Sequence, residues 1–191
     1  MHTHRLEALT DGIFAFAMTL LVLSINLPDP KEHIDVAVFI MSQFQNFWTF
    51  ALGFLLLASF WLNYSQQYHH IEKTNTTTVM LNILILLFVV LMPFSTSVMN
   101  DYPRDMFAEV FFNGNFFILS LLLSINWHYC LKQKFINTDD RALIGKKTKN
   151  VVALPIISLI ALGTAFIFPG WSTLMYLLIP MVMFFPTKRS S

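Results

Sequence analysis

Charge is what this sequence has least of. Of its 191 residues, 12% are Asp, Glu, Lys or Arg, against roughly 25% in a soluble globular domain. So little polar surface cannot cover a water-exposed particle, which excludes a soluble catalytic domain and makes lipid the expected solvent. Cysteine occurs once, at Cys130, so an intrachain disulfide and a Cys-rich metal site are both excluded. The formal net charge is only +1, and no overall field points to nucleic acid. Low-complexity runs and internal repeats are missing, as is any arrangement of nucleophile, base and acid: Ser124 and His128 have no Asp at a spacing that favours a triad over chance. No enzyme activity, cofactor or metal is expected.

Hydrophobic residues, by contrast, make up 55% of the chain and aromatics 15%, with a mean hydropathy of +0.60. Six apolar stretches have the length a bilayer asks for, roughly 20 residues at 1.5 Å each. They run over about 6–27, 36–64, 78–99, 106–131, 151–168 and 172–185. Pro28-Asp29-Pro30 stops the first and Pro169-Gly170 the fifth. Helices are expected throughout, because lipid cannot satisfy an unpaired backbone group. The last two are short enough for a re-entrant pair to be an alternative. The first stretch resembles a signal peptide only in hydropathy. It carries Glu7 and Asp11, and Ser24-Ile25-Asn26-Leu27-Pro28 offers no small-x-small cleavage site, so a retained helix is expected. The reading is an all-α integral membrane protein of six transmembrane helices in one domain, residues 1–191, placed in the cell membrane.

Orientation follows from the loops. With both termini on one side, Arg5, Lys73, Lys132, Lys134, Arg141, Lys146, Lys147, Lys149, Lys188 and Arg189 share that side, against Lys31 and Arg104 opposite. Such a bias places both termini in the cytoplasm. The loop 132–150 serves as a topology signal or, alternatively, meets anionic headgroups.

At 100° per residue, Arg5, Leu9, Gly12, Phe16, Leu20, Leu23 and Leu27 fall on one stripe of the first helix, with Thr19 about 60° to one side. Such a stripe suits a self-associating seam or an ordinary bundle contact. Thr10 and Asp11 point well away from it, and an ionisable group in a membrane helix needs a partner. Elsewhere, His69 and His70 read as a solvated loop, since adjacent His side chains cannot converge on one metal. Glu109 reads as a paired or snorkelling carboxylate, with a cation-attracting role as the alternative, and Cys130 as an inert thiol.

The run Arg5-Leu6-Glu7-Ala8-Leu9-Thr10-Asp11-Gly12, continuing to Leu23, resembles the first helix of prokaryotic proteins related to the lysosomal potassium channel called transmembrane protein 175. That family is marked by Arg, three residues, then Phe-Ser-Asp; here Arg5 and Asp11 stand in place, with Leu9 for Phe and Thr10 for Ser. Trp61, Asn82 and the run Pro93-Phe94-Ser95-Thr96 extend the resemblance, while Tyr64 stands where the family usually has His. The resemblance implies a homotetramer of six-helix subunits whose first helix lines a central cation pore. Carried over by position, Phe16, Leu20 and Leu23 form the constricting rings and Thr19 a hydroxyl layer that helps favour potassium. Phe16 occupies a place where members usually carry Ile or Leu. The resemblance also implies a structural network of Arg5, Thr10 and Asp11 reaching Trp61, Tyr64 or Asn82; the alternative for Arg5, which lies on the pore stripe, is a place at the inner mouth.

No Thr-Val-Gly-Tyr-Gly loop is present, so a carbonyl filter is not how such a pore would select. A ring of apolar side chains gates by dewetting, and a small widening restores the water column. Modest selectivity for potassium is expected, with potassium as the permeant ion and no other small-molecule substrate. No ladder of Arg suggests a voltage sensor. The alternative is a secondary or proton-coupled transporter, which calls for broken helices and paired carboxylates at the midplane.

Overall fold

The computed structural model describes residues 3–25, 35–136, 141–168, 170–177 and 179. Among these, six α-helices follow one another: α1 (Thr3–Leu20), α2 (Val36–Ser42), α3 (Phe44–Tyr68), α4 (Thr76–Asp101), α5 (Met106–Lys132) and α6 (Arg141–Ile167). A 3-10 turn, Leu21–Ser24, extends α1, and a second, Ser172–Leu177, follows α6. Among the described residues the regular elements are all helical, and five segments are long and apolar enough to cross a membrane: His4–Ser24, Phe44–Tyr68, Thr76–Asp101, Met106–Lys132 and Lys147–Ile167.

Side-chain caps set several of the boundaries. Asp35 Oδ1 accepts from Ala37 N at 2.8 Å to start α2, Asn75 Oδ1 from Thr78 N at 2.9 Å to start α4, and Asp105 Oδ1 from Phe107 N and Ala108 N to start α5. Each satisfies backbone donors that a helix start leaves orphaned. Inside α4, Pro93 removes one rung of the ladder. Asn115 on α5 answers nearby, donating from Nδ2 to Phe88 O at 3.3 Å.

Three boundaries differ from the sequence reading. The second apolar stretch is two helices, because Gln43 (φ −82°, ψ 3°) leaves the helical region between α2 and α3. Its side chain accepts from Asn46 Nδ2 at 2.5 Å. The segment 132–150 is not all loop: α6 begins at Arg141 and carries the basic residues up to the apolar part of the same helix. Of the proposed sixth span, residues 172–177 form a 3-10 turn, while 178 and 180–185 lie outside the described residues, as do Leu27, Pro28-Asp29-Pro30, Lys31, Lys188 and Arg189.

Packing runs in sequence across the bundle. α6 lies on α5, α5 on α4, and α4 on α1, with α3 touching α1 and α4. The core is aromatic: Phe60 of α3 stacks on Phe116 of α5 at 5.5 Å, and Phe116 meets Phe112 and Tyr176 at 5.0 Å each. Gly53 lets α3 approach closely, since a Cβ there would stand 3.3 Å from Thr96 Oγ1 and 3.4 Å from Leu21 Cδ2. At the lysine-rich end, Ile71 and Ile136 pair in a single antiparallel bridge and Glu72 N donates to Phe135 O at 3.0 Å. The loops after α3 and α5 are therefore joined, on the side that also holds the start of α1.

Candidate functional site

α1 has two faces of opposite character. Leu6, Thr10, Phe14, Ala17, Leu21 and Ser24 are each at most 2% exposed and pack into the bundle. The other face carries Arg5, Leu9, Gly12, Phe16, Thr19 and Leu23, all exposed, with Phe16 at 61% and Leu23 at 70%. Leu20 is half-buried at its edge. In the 3-10 turn residues three apart eclipse, so Leu21 and Ser24 stay inward together.

The buried face is pinned by polar contacts. Thr10 Oγ1 donates to Leu6 O at 2.8 Å, lies 3.1 Å from Tyr64 OH, and accepts from Asn82 Nδ2 at 3.1 Å. One hydroxyl thus ties α1 to α3 and α4. One residue on, Asp11 Oδ1 accepts from Trp61 Nε1 at 2.8 Å. Near the far end, Asn100 Nδ2 donates to Ser24 O at 3.2 Å. Sequence reading missed that third contact, whose only signal is an Asn at the end of an apolar run. Arg5 stands apart from the group expected for it. It is exposed on the opposite face, because five residues at 100° turn it about 140° from Thr10.

On the exposed face, Thr19 Oγ1 donates to Phe16 O at 2.7 Å. Its hydrogen is therefore spent on the helix, and the oxygen presents lone pairs outward. Phe16, Thr19 and Leu23 follow one another along this face over roughly 10 Å of rise.

Glu109 belongs to a different place. It is 2% exposed, and Ser172 Oγ donates to its Oε2 at 2.6 Å while Gly170 N donates to Oε1. Asn113 Nδ2 donates to Ser172 Oγ at 3.0 Å. The carboxylate thus fastens the turn after α6 to the start of α5, beside a cavity of about 560 Å³. His69 and His70 meet edge to face at 5.3 Å. Burial, with Lys147 and His69 nearby, lowers the His70 pKa from its usual 6.5.

Known proteins share this arrangement, some named potassium channels and others endosomal/lysosomal proton channels. The sequence model of the family described as "Endosomal/lysosomal potassium channel TMEM175" matches residues 5–93. The crystal structure of a lysosomal potassium-selective channel TMEM175 homolog from Chamaesiphon minutus superposes with a TM-score of 0.84 at 25% identity, over 95% of this chain and 96% of that one. The chain is similar to the TMEM175 family over residues 5–93, a little under half of its length. A potassium channel of Chamaesiphon minutus is 28% identical over 155 residues, 78% of this chain and 73% of the relative. The crystal structure of a variant of the potassium channel MtTMEM175, at 17% identity and a TM-score of 0.64, shares the fold. The family match spans α1 to most of α4. It therefore contains every contact that Thr10 and Asp11 make to Tyr64, Trp61 and Asn82, whereas Glu109 and its partners lie beyond it.

Proposed function

We propose that the chain forms a potassium-permeable, weakly selective cation channel in which four copies of α1 line a central pore. The observation that carries this reading is the exposed face of α1. Arg5, Leu9, Gly12, Phe16, Thr19 and Leu23 face outward from the protomer along one line, while the reverse face is tied down by Thr10, Asp11 and Ser24. A helix fixed at both ends to its own bundle has its free stripe available for three other copies. TMEM175 relatives named as potassium channels support the permeant ion.

In this assembly Phe16 forms the narrow ring, with Leu20 and Leu23 beyond it and Thr19 between. Rings of apolar side chains hold no continuous water column when narrow, so conduction turns on a small widening. The Thr19 oxygen, its hydrogen committed to Phe16 O, offers lone pairs that replace part of an ion's hydration shell. Potassium is the cation expected to gain, because it surrenders water more readily than sodium. No cofactor takes part, both termini face the cytoplasm, and the residence is the cell membrane.

The test is flux in liposomes carrying the purified chain, with potassium and sodium gradients compared, alongside the oligomeric state in detergent. Potassium flux exceeding sodium flux from a tetramer is the expected result. A monomer or dimer refutes the pore, since one subunit has no fourfold axis.

A further inference from the structure

Between the lysine-rich ends of α3 and α6 lies a cavity of about 180 Å³ that plays no part in the pore reading. Its wall includes Asn63, Gln66 and Gln67 of α3, and Lys147 and Asn150 of α6. Among the described residues no carboxylate lines it. Lys147 Nζ donates to Gln66 O at 3.0 Å, which uses one of its three hydrogens and holds the ammonium at the rim. Gln67 is 1% exposed and donates from Nε2 to Asn63 Oδ1 at 2.7 Å, yet its Oε1 has no partner. A buried amide oxygen left unpaired is costly. The cavity therefore offers a cation and amide groups, and one of its lining residues, Gln67, keeps a buried acceptor without a partner.

We propose that this cavity binds the phosphoglycerol headgroup of an anionic lipid. The phosphate sits on Lys147 and Asn150, and a glycerol hydroxyl donates to Gln67 Oε1. The depth fits a lipid, because the α3 residues lie in the last turns of the segment Phe44–Tyr68 and Lys147 opens the segment Lys147–Ile167. That is the level at which a span leaves the apolar layer. Val151 and Leu62 complete the wall on the apolar side. Lys73, Lys132, Lys134 and Lys149 stand at the same end of the bundle, exposed or in the joined loops. Lysines near an anionic surface attract it, so the field concentrates anionic lipid while the cavity selects its headgroup. A choline headgroup satisfies neither part: it has no net charge and no hydroxyl to give.

Native mass spectrometry of the purified, delipidated protein tests this, with phosphatidylglycerol and phosphatidylcholine of equal chain length titrated separately. Phosphatidylglycerol should bind several-fold more tightly. Lys147→Gln should weaken it about tenfold, the loss of one charge-assisted contact. Gln67→Met should weaken it less, and Lys149→Gln should leave it nearly unchanged. Equal binding of the two lipids overturns the proposal, as does a Lys149→Gln loss matching that of Lys147→Gln, which would mean surface charge alone. Glycerol 3-phosphate supplied as a soluble competitor separates the sources. Displacement at the lipid's own concentration assigns the site to a free phosphate ester and removes the lipid. Should either cavity variant fail to melt cooperatively, the wild-type lipid preference and the competition decide the matter without it.

Discussion

Replacing Thr10 by valine should unfasten α1 from its bundle while leaving its volume unchanged. Thr10 is fully buried, and its Oγ1 is the partner of Asn82 Nδ2 and Tyr64 OH at 3.1 Å each. Asn82 is also fully buried, and its Oδ1 already lacks a partner, so Thr10→Val would leave that amide with no hydrogen bond. A buried group stripped of its partner costs about 1–3 kcal/mol, whereas interhelical bonds in membranes average about 0.6 kcal/mol. The higher scale applies to the Asn82 amide because it has nowhere else to turn, and the lower to the tyrosine hydroxyl. Together they amount to about 3 kcal/mol. Thr10→Ser keeps the hydroxyl and sheds one methyl group, about 0.8 kcal/mol. Thermal unfolding in detergent, followed through tryptophan fluorescence, should therefore rank wild type above Thr10→Ser and Thr10→Ser well above Thr10→Val. Adding Asn82→Leu to Thr10→Val should recover part of the loss, since removing both partners relieves the unpaired amide. Equal melting of the Ser and Val variants, or no recovery in the double variant, would refute the reasoning.

Phe16→Ala should raise resting potassium current several-fold in planar bilayers by widening the ring; an unchanged current moves the constriction elsewhere. Thr19→Ala should lower the potassium-to-sodium permeability ratio without abolishing conduction, measured from reversal potentials. Gly53→Val should destabilise more than Gly53→Ala, as overpacking does, because a Cβ already meets Thr96 Oγ1 at 3.3 Å and Leu21 Cδ2 at 3.4 Å; melting temperatures check the order. His70 has a folded-state pKa held below 6.5, so the unfolded chain binds more protons just beneath that value. Stability should fall slightly as pH drops through 6.5 and level off below the folded pKa, and melts of His70→Gln should lack that slope.

The long apolar segments were legible because lipid leaves the backbone no alternative to helix, and α1's two faces were legible because 100° periodicity separates Phe16 from Phe14 without any tertiary knowledge. Arg5 falls outside the buried network although the family motif suggests it there: proximity in the motif is denied by the turn of the helix away from Thr10. The break at Gln43 falls in a dip in hydropathy made by Ser42, Gln43, Gln45 and Asn46, but Met41, Phe44 and Phe47 bridge it, so the stretch reads as one. The early start of α6 was hidden by Lys146, Lys147 and Lys149, which read as loop but ride on a helix outside the apolar layer. Glu109's surroundings were out of reach, because Gly170 and Ser172 arrive from some sixty residues away.

The backbone rung between Ile71 and Ile136 has a practical consequence for anyone measuring motion in this protein. Because it couples the α3–α4 turn to the α5–α6 turn, a label placed on either reports on one shared frame. Distances between those turns should stay constant through a conduction cycle, and they make a natural ruler. α1 carries no such backbone link to that frame among the described residues; Thr10, Asp11 and Ser24 hold it through side-chain bonds. A spin or fluorescent label on Ala8 or Ala15, referenced to the rung, would therefore read displacement of the lining helix directly.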